Sequence, residues 1–164
     1  MTYSNHKLIQ KHLRKWIDLE DWEAPFAATL TLKQRLNVHD GADSRSVALT
    51  RNDASQNLRH FLNVLNRRVF KSSAQRHGLK VPVFPVLEGG NDTRLHYHLL
   101  IGCPRPELID AYPALLIRTW HMTQWGYNEC EIKPADSGWI TYMTKLRDKP
   151  DFASSIDWQN FHTP

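Results

Sequence analysis

An α+β fold, with helices packed on an antiparallel sheet, is what the sequence predicts, and three observations lead there. Short runs of alternating apolar and polar residues interleave with longer segments of helical period. Gly and Pro punctuate the boundaries between them. After a first helix the segments follow the order strand, helix, strand, strand, helix, strand, with one more helix at the end.

Residues 4–22 place Leu8, Ile9, Leu13, Trp16, Ile17, Leu19 and Trp22 at near-helical spacing behind Ser4 and Asn5, an amphipathic helix that Pro25 breaks. Phe26 to Lys33 alternates, with Phe26, Ala28, Leu30 and Leu32 on one face of a strand and Thr29, Thr31 and Lys33 on the other. Residues 34–51 are polar, contain Gly41 and show little periodicity, so they read as a surface loop. From Asn52 or Asp53 a helix runs to about His77, its buried stripe Leu58, Phe61, Leu62, Leu65 and Val69, its stop Gly78. Lys80 to Glu88 reads as a strand in which Pro82 and Pro85 each remove a ladder donor, which argues for an edge position or a bulge. Gly89 to Asp92 is a turn and Arg94 to Gly102 a third strand, completing a hairpin. Pro104 and Pro106 open a helix over Glu107 to Gln124, Tyr127 to Lys133 is a fourth strand, and Asp136 or Ser137 caps a last helix ending before Pro150. This βαββαβ order is the ferredoxin-like arrangement, with helices on one face of the sheet and the other face open to a ligand. The expected organisation is an extra N-terminal helix over 1–24, a main domain over 25–150 and a C-terminal tail over 151–164 that keeps Trp158 and Phe161.

Composition supports a packed chain. Of 164 residues, 41% are hydrophobic and 23% charged, unlike a disordered or fibrous sequence. No run approaches the ~20 apolar residues of a membrane span, and the start is charged throughout, where a secretory leader needs an apolar stretch. Cys103 and Cys130 are too few and too far apart for a zinc cluster or a disulfide scaffold, so reduced thiols and a cytoplasmic setting are expected. The 21 Lys and Arg exceed the 17 Asp and Glu, for a net charge of +4, which favours a polyanionic partner.

Two segments carry chemistry. In Arg94 to Gly102, strand alternation sends Leu95, Tyr97, Leu99 and Ile101 to one face and His96 and His98 to the other, about 7 Å apart along the strand. Glu88 sits before the turn on the partner strand, and closing the hairpin with it opposite residue 94 or 96 adds a carboxylate beside both imidazoles. Such a mixed nitrogen and oxygen set suits Mg²⁺, Mn²⁺ or another divalent ion with open positions better than a closed structural zinc site. In Gly138 to Leu146, a helix puts Trp139, Met143 and Leu146 on a core stripe and Tyr142, Lys145 and Lys149 on a neighbouring one. Ammonium groups beside a phenol favour the phenolate, the form that attacks phosphorus.

Together these residues resemble the HUH endonucleases, and among them the replication-initiator (Rep) type with a single catalytic tyrosine. The strand at Phe26 to Lys33 resembles that family's first motif, His96-Tyr97-His98 its His-hydrophobe-His motif, Glu88 its acid, and Tyr142 to Lys145 its Tyr-x-x-Lys motif. The resemblance implies metal-dependent, sequence-specific nicking and joining of single-stranded DNA through a 5′-phosphotyrosine, as at the start of rolling-circle replication. It makes Tyr142 and Lys145 catalytic and Glu88, His96 and His98 the ligands of Mg²⁺ or Mn²⁺. Thr29, Thr31, Lys33, Arg35, Arg94 and Lys149 are the expected contacts to the DNA, an origin strand or one containing a hairpin. No G-x-x-x-x-G-K-[ST] loop is present, so a host helicase is the expected partner for unwinding. Two alternatives remain open at this level: a single-tyrosine HUH transposase of the REP-associated kind, and a non-catalytic ferredoxin-like module that stacks bases on its sheet.

Overall fold

The computed structural model of the chain describes residues 3–90, 92–145 and 152–164. Helix α1 (Tyr3–Trp16) is followed by a short 3-10 turn at Leu19–Asp21, so the expected helix over 4–22 ends early and only its last residues coil differently. Strand β1 (Phe26–Leu32) comes next, and then two strands, β2 (Arg35–Asp40) and β3 (Asp43–Ala48), paired from Arg35↔Ala48 to Asp40↔Asp43. This hairpin corrects the reading of 34–51 as a loop. Its strands are polar and largely exposed, so they lack the apolar alternation that betrays a strand half-buried in a core.

Helix α2 (Arg51–Phe70) starts at a capping box in which the Thr50 side chain takes the Asp53 N–H and the Asp53 carboxylate takes the Thr50 N–H. It stops at Lys71, whose positive φ of 54° breaks the expected continuous helix, and α3 (Ser72–His77) ends on the left-handed Gly78. Strands β4 (Val83–Gly90) and β5 (Thr93–Ile101) follow as an antiparallel hairpin. The expected helix over 107–124 is a 3-10 segment, Pro106–Ala111, running into α4 (Tyr112–His121). Strand β6 (Gly126–Pro134), α5 (Ser137–Met143) and α6 (Phe152–Ser155) complete the chain.

The main sheet is antiparallel with the order β4-β5-β1-β6, which puts the proline-bearing β4 at an edge. That edge is covered from the C-terminal side. Val83 exchanges backbone hydrogen bonds with His162, and the Asp157 N–H donates to the Pro85 carbonyl at 3.0 Å.

One face of the sheet, through Leu30, Leu32, Tyr97, Leu99 and Ile101, packs on α2 and α4, with Leu58, Phe61, Leu65, Leu116 and Trp120 at the centre. The opposite face is not left bare as expected. A second cluster joins Phe84, Val86 and Leu100 of the sheet to Leu13 and Ile17 of α1, Ile140 and Met143 of α5, and Phe152 and Ile156. Helices therefore cover one face and part of the other, because the amphipathic α1 and the C-terminal segment each need an apolar surface to bury their own stripes.

Two phenols are sealed in the first cluster. Tyr97 donates to the Asp157 carboxylate at 2.9 Å and Tyr112 to the Gly102 carbonyl at 2.8 Å. Burial first, and the negative charge of Asp157 second, hold the Tyr97 phenol far above its ordinary range, and burial raises that of Tyr112 as well. A raised phenol pKa means the folded state keeps a proton that the unfolded chain gives up, so this contribution is intact below about pH 10 and declines above it. Each tyrosine should then cost about 1.4 kcal/mol of stability per pH unit above that point. Alkaline titration followed together by circular dichroism and tyrosinate absorbance should show both phenols ionising only as the fold is lost; ionisation near pH 10 with the fold intact would contradict their burial.

Candidate active site

The hairpin register decides which side chains meet. Glu88 pairs with His96, and Val86 with His98, while on the other side Thr29 of β1 pairs with His98 and Thr31 with His96. Directly paired residues share a face, so the carboxylate, both imidazoles and both hydroxyls stand together. Just beyond Glu88 the ladder shifts register, and Gly89 takes a φ of 94° with its α-carbon so close to the Arg94 carbonyl that any Cβ would collide with it. Only glycine lets the strand turn there and still deliver Glu88 to this face.

Glu88, His96 and His98 each offer one ligand atom, and these atoms all lie within 4.8 Å of one another. The two Nε2 atoms are 3.1 Å apart, and the His98 Nε2 is 3.8 Å from the Glu88 carboxylate. At metal–nitrogen bonds of about 2.1 Å, adjacent ligands of an octahedral ion stand about 3.0 Å apart, so the imidazole pair fits one ion. The remaining ring nitrogens agree. His96 Nδ1 faces the Arg94 carbonyl at 2.8 Å, an oxygen that only accepts, so Nδ1 carries the proton and Nε2 presents its lone pair. His98 Nδ1 meets the Thr29 hydroxyl at 3.1 Å, which can accept the same proton.

Tyr142 lies across from this group on α5, whose N-terminus is capped by the Asp136 side chain accepting from the Trp139 N–H. Its ring is 5.1 Å from the His98 ring and 43% exposed, whereas His98 is only 4% exposed. Lys145 places its ammonium 4.1 Å from the centre of the Tyr142 ring. Trp139 is the residue that sequence reasoning misplaced. Expected on the core stripe with Met143 and Leu146, it stacks on Tyr142 at 5.3 Å and meets the His98 ring edge-on at 5.3 Å, while its indole donates to the Leu99 carbonyl at 3.0 Å. The core role falls to Ile140 with Met143. The signal was present as two aromatics three apart on one helix, but an aromatic pair at that spacing also fits a buried stripe. Leu146 and Lys149 lie outside the described residues.

Thr29, His98, Glu131, Asp136, Trp139 and Tyr142 border a cleft of about 480 Å³, within the ordinary range of about 300–1,000 Å³ for ligand sites. Glu131 and Asp136 drew no attention in the sequence, since lone acids on a strand and at a helix start are ordinary surface features. The other expected contacts spread outward. The Thr31 hydroxyl donates to the Glu129 carbonyl, and the Lys33 ammonium to the Gln124 carbonyl at 3.2 Å. Arg94 donates to the Leu32 carbonyl at 3.2 Å and lies 4.2 Å over the Tyr127 ring. Arg35 is on the β2–β3 hairpin, its guanidinium donating to the Ser46 hydroxyl at 2.8 Å.

Sheet, helices and side chains thus define an α+β protein with a His-x-His metal group faced by a helical tyrosine. A family model for replication-associated proteins of the ORF2 group matches residues 25–151, and the chain belongs to this family, of the HUH Rep type. No match was found among the curated proteins or the solved structures. Among the described residues no helix is long and apolar enough to cross a membrane.

Titration calorimetry with Mn²⁺ checks the ligand geometry. His96→Ala should abolish binding, and Thr29→Val, which keeps shape but removes the hydroxyl behind His98, should weaken it by about 10–100-fold. Unchanged affinity in both variants would remove the group as a metal site.

Proposed function

We propose that the protein is a nicking and joining endonuclease that cuts single-stranded DNA at a preferred sequence to start rolling-circle replication. The observation that carries this reading is the approach of Tyr142 to His98: a partly exposed phenol beside the ligand group, on a chain of a replication-associated family. The strand order β4-β5-β1-β6, with α2 and α4 as its crossovers, supports assigning the sheet to the ferredoxin-like class.

Glu88, His96 and His98 would hold Mg²⁺ or Mn²⁺, which when bound withdraws charge from the scissile phosphate and orients it. The Tyr142 hydroxyl attacks phosphorus in line. The phenolic oxygen forms a bond to phosphorus as the bond to the 3′ oxygen breaks, and the phenolic proton ends on that oxygen, leaving a 5′-phosphotyrosine and a free 3′-OH. Because the phosphodiester becomes another phosphodiester, the reverse attack by a 3′-OH rejoins the strand. Lys145, held against the phenol ring, offsets negative charge as it develops on the phenol and phosphate oxygens. Thr29 holds His98 in its productive orientation. Thr31, Lys33, Arg35, Arg94 and Lys149 are assigned to guiding the strand, and duplex opening to a helicase of the host.

With Mn²⁺ and labelled random single-stranded oligonucleotides, the wild-type chain should form an adduct that survives SDS, and chelation should prevent it. Tyr142→Phe should abolish the adduct and leave strand binding within about threefold, and Lys145→Ala should slow its formation by about tenfold or more. A full yield of adduct from Tyr142→Phe would exclude Tyr142 as nucleophile.

A further inference from the structure

The β2–β3 hairpin is a separate two-stranded ribbon that pairs with no strand of the main sheet. Of its side chains only Leu36 and Val47 pack against the main core, and most of the rest are exposed. An isolated two-stranded ribbon is marginal in water, since little burial offsets the ordering of its backbone. Its root, in contrast, is firmly tied. The Gln34 amide donates to the Leu32 carbonyl at 2.7 Å and accepts from the Leu95 N–H at 2.9 Å, and the Leu49 N–H donates to the Gln34 carbonyl. Leu95 adjoins the ligand His96, so the ribbon springs from one residue beside the metal group.

Its side chains restrict what it can grip. Arg35, Asn37 and His39 pair with Ala48, Ser46 and Ser44, giving one face a guanidinium, an amide, an imidazole and two hydroxyls, with no carboxylate. Strand alternation sends Asp40 and Asp43, opposite each other at the tip, to the other face. Two arginines against two aspartates leave the ribbon without net charge, so it is not a general phosphate-binding arm. No Phe, Tyr or Trp occurs between residues 27 and 60, so it has nothing on which unpaired bases would stack. Amide, hydroxyl and guanidinium groups on a narrow ribbon are suited to the edges of paired bases, and a major groove about 12 Å wide admits such a ribbon.

We infer that the β2–β3 hairpin is a duplex-reading arm, which enters the major groove of a double-stranded segment adjoining the strand held at the metal group. The inference rests on the reading of the protein as a single-strand nickase. Six residues per strand reach about 20 Å, enough to span about five base pairs beside the junction. Specificity is then divided: the sheet and cleft take the single strand, and the arm reads the neighbouring stem.

The test uses the full chain and a pool of oligonucleotides, each with a randomised stem of about one helical turn joined to a randomised single strand. Bound molecules are recovered and sequenced, and the enriched ones are assayed for the SDS-stable adduct. Enrichment should appear within about five base pairs of the junction. It should fall by about tenfold in Asn37→Ala/His39→Ala and in Ser44→Ala/Ser46→Ala, while the single-strand positions keep theirs. No stem enrichment by the wild-type chain, or stem enrichment unaltered in both variants, would overturn the arm. Stem enrichment without any adduct keeps the arm and removes the nuclease reading; an adduct without stem enrichment does the reverse.

Discussion

Every functional side chain of the sheet depends on the two-residue alternation of β5. Leu95, Tyr97, Leu99 and Ile101 are driven into the helix-covered core, and the alternating positions His96 and His98 have no option but the other face. A slip of one residue would bury both imidazoles and expose the apolar set. At about 1.5–3 kcal/mol for each buried large apolar side chain, the core holds the register far more strongly than three ligands could hold it for themselves. The metal group is thus a by-product of packing, and its geometry is as rigid as the core behind it.

The nucleophile's helix is secured by different means. Helix α5 is short, and its place is set by contacts at both ends. The Trp139 indole ties it to the Leu99 carbonyl of the ligand strand. From α1, Gln10 donates to the Thr144 carbonyl, and Arg14 donates to the Thr144 hydroxyl at 2.7 Å and the Thr141 carbonyl at 3.3 Å. The N-terminal helix, which has no counterpart in the family motifs, acts here as a clamp that keeps Tyr142 over the sheet. A similar economy places Asp157. It accepts from Tyr97, Ser55 and Asn160, joining the C-terminal segment to the residue between the two ligand histidines and to α2. The tyrosine in His-Tyr-His is therefore a core side chain with a polar tip that finds a partner at the sheet edge.

The sequence was most readable where burial wrote a period into it. Strands β1 and β5 and the long helix α2 carry that period, and Glu88, His96 and His98 follow from parity plus one turn. The β2–β3 ribbon was invisible because its exposed residues are under no demand to alternate in hydropathy, and the break at Lys71 because its cause is a local backbone turn in an otherwise helical pattern. Trp139 was legible as an aromatic but not as a neighbour of the site, since its helical face borders both the core and His98.

What the sequence by itself determined is the set of local relations: which residues share a strand face, where helices start and stop, and that a carboxylate and two imidazoles can converge across one turn. These follow from backbone geometry, which repeats the same way in any context. Only the tertiary structure decided that α1 and the C-terminal segment cover part of the second sheet face, that Tyr142 comes to lie against His98, and that a ribbon stands out beside the ligands. Those outcomes depend on which apolar surfaces meet across long stretches of chain. That competition is settled by shape and burial, and no local period records its result.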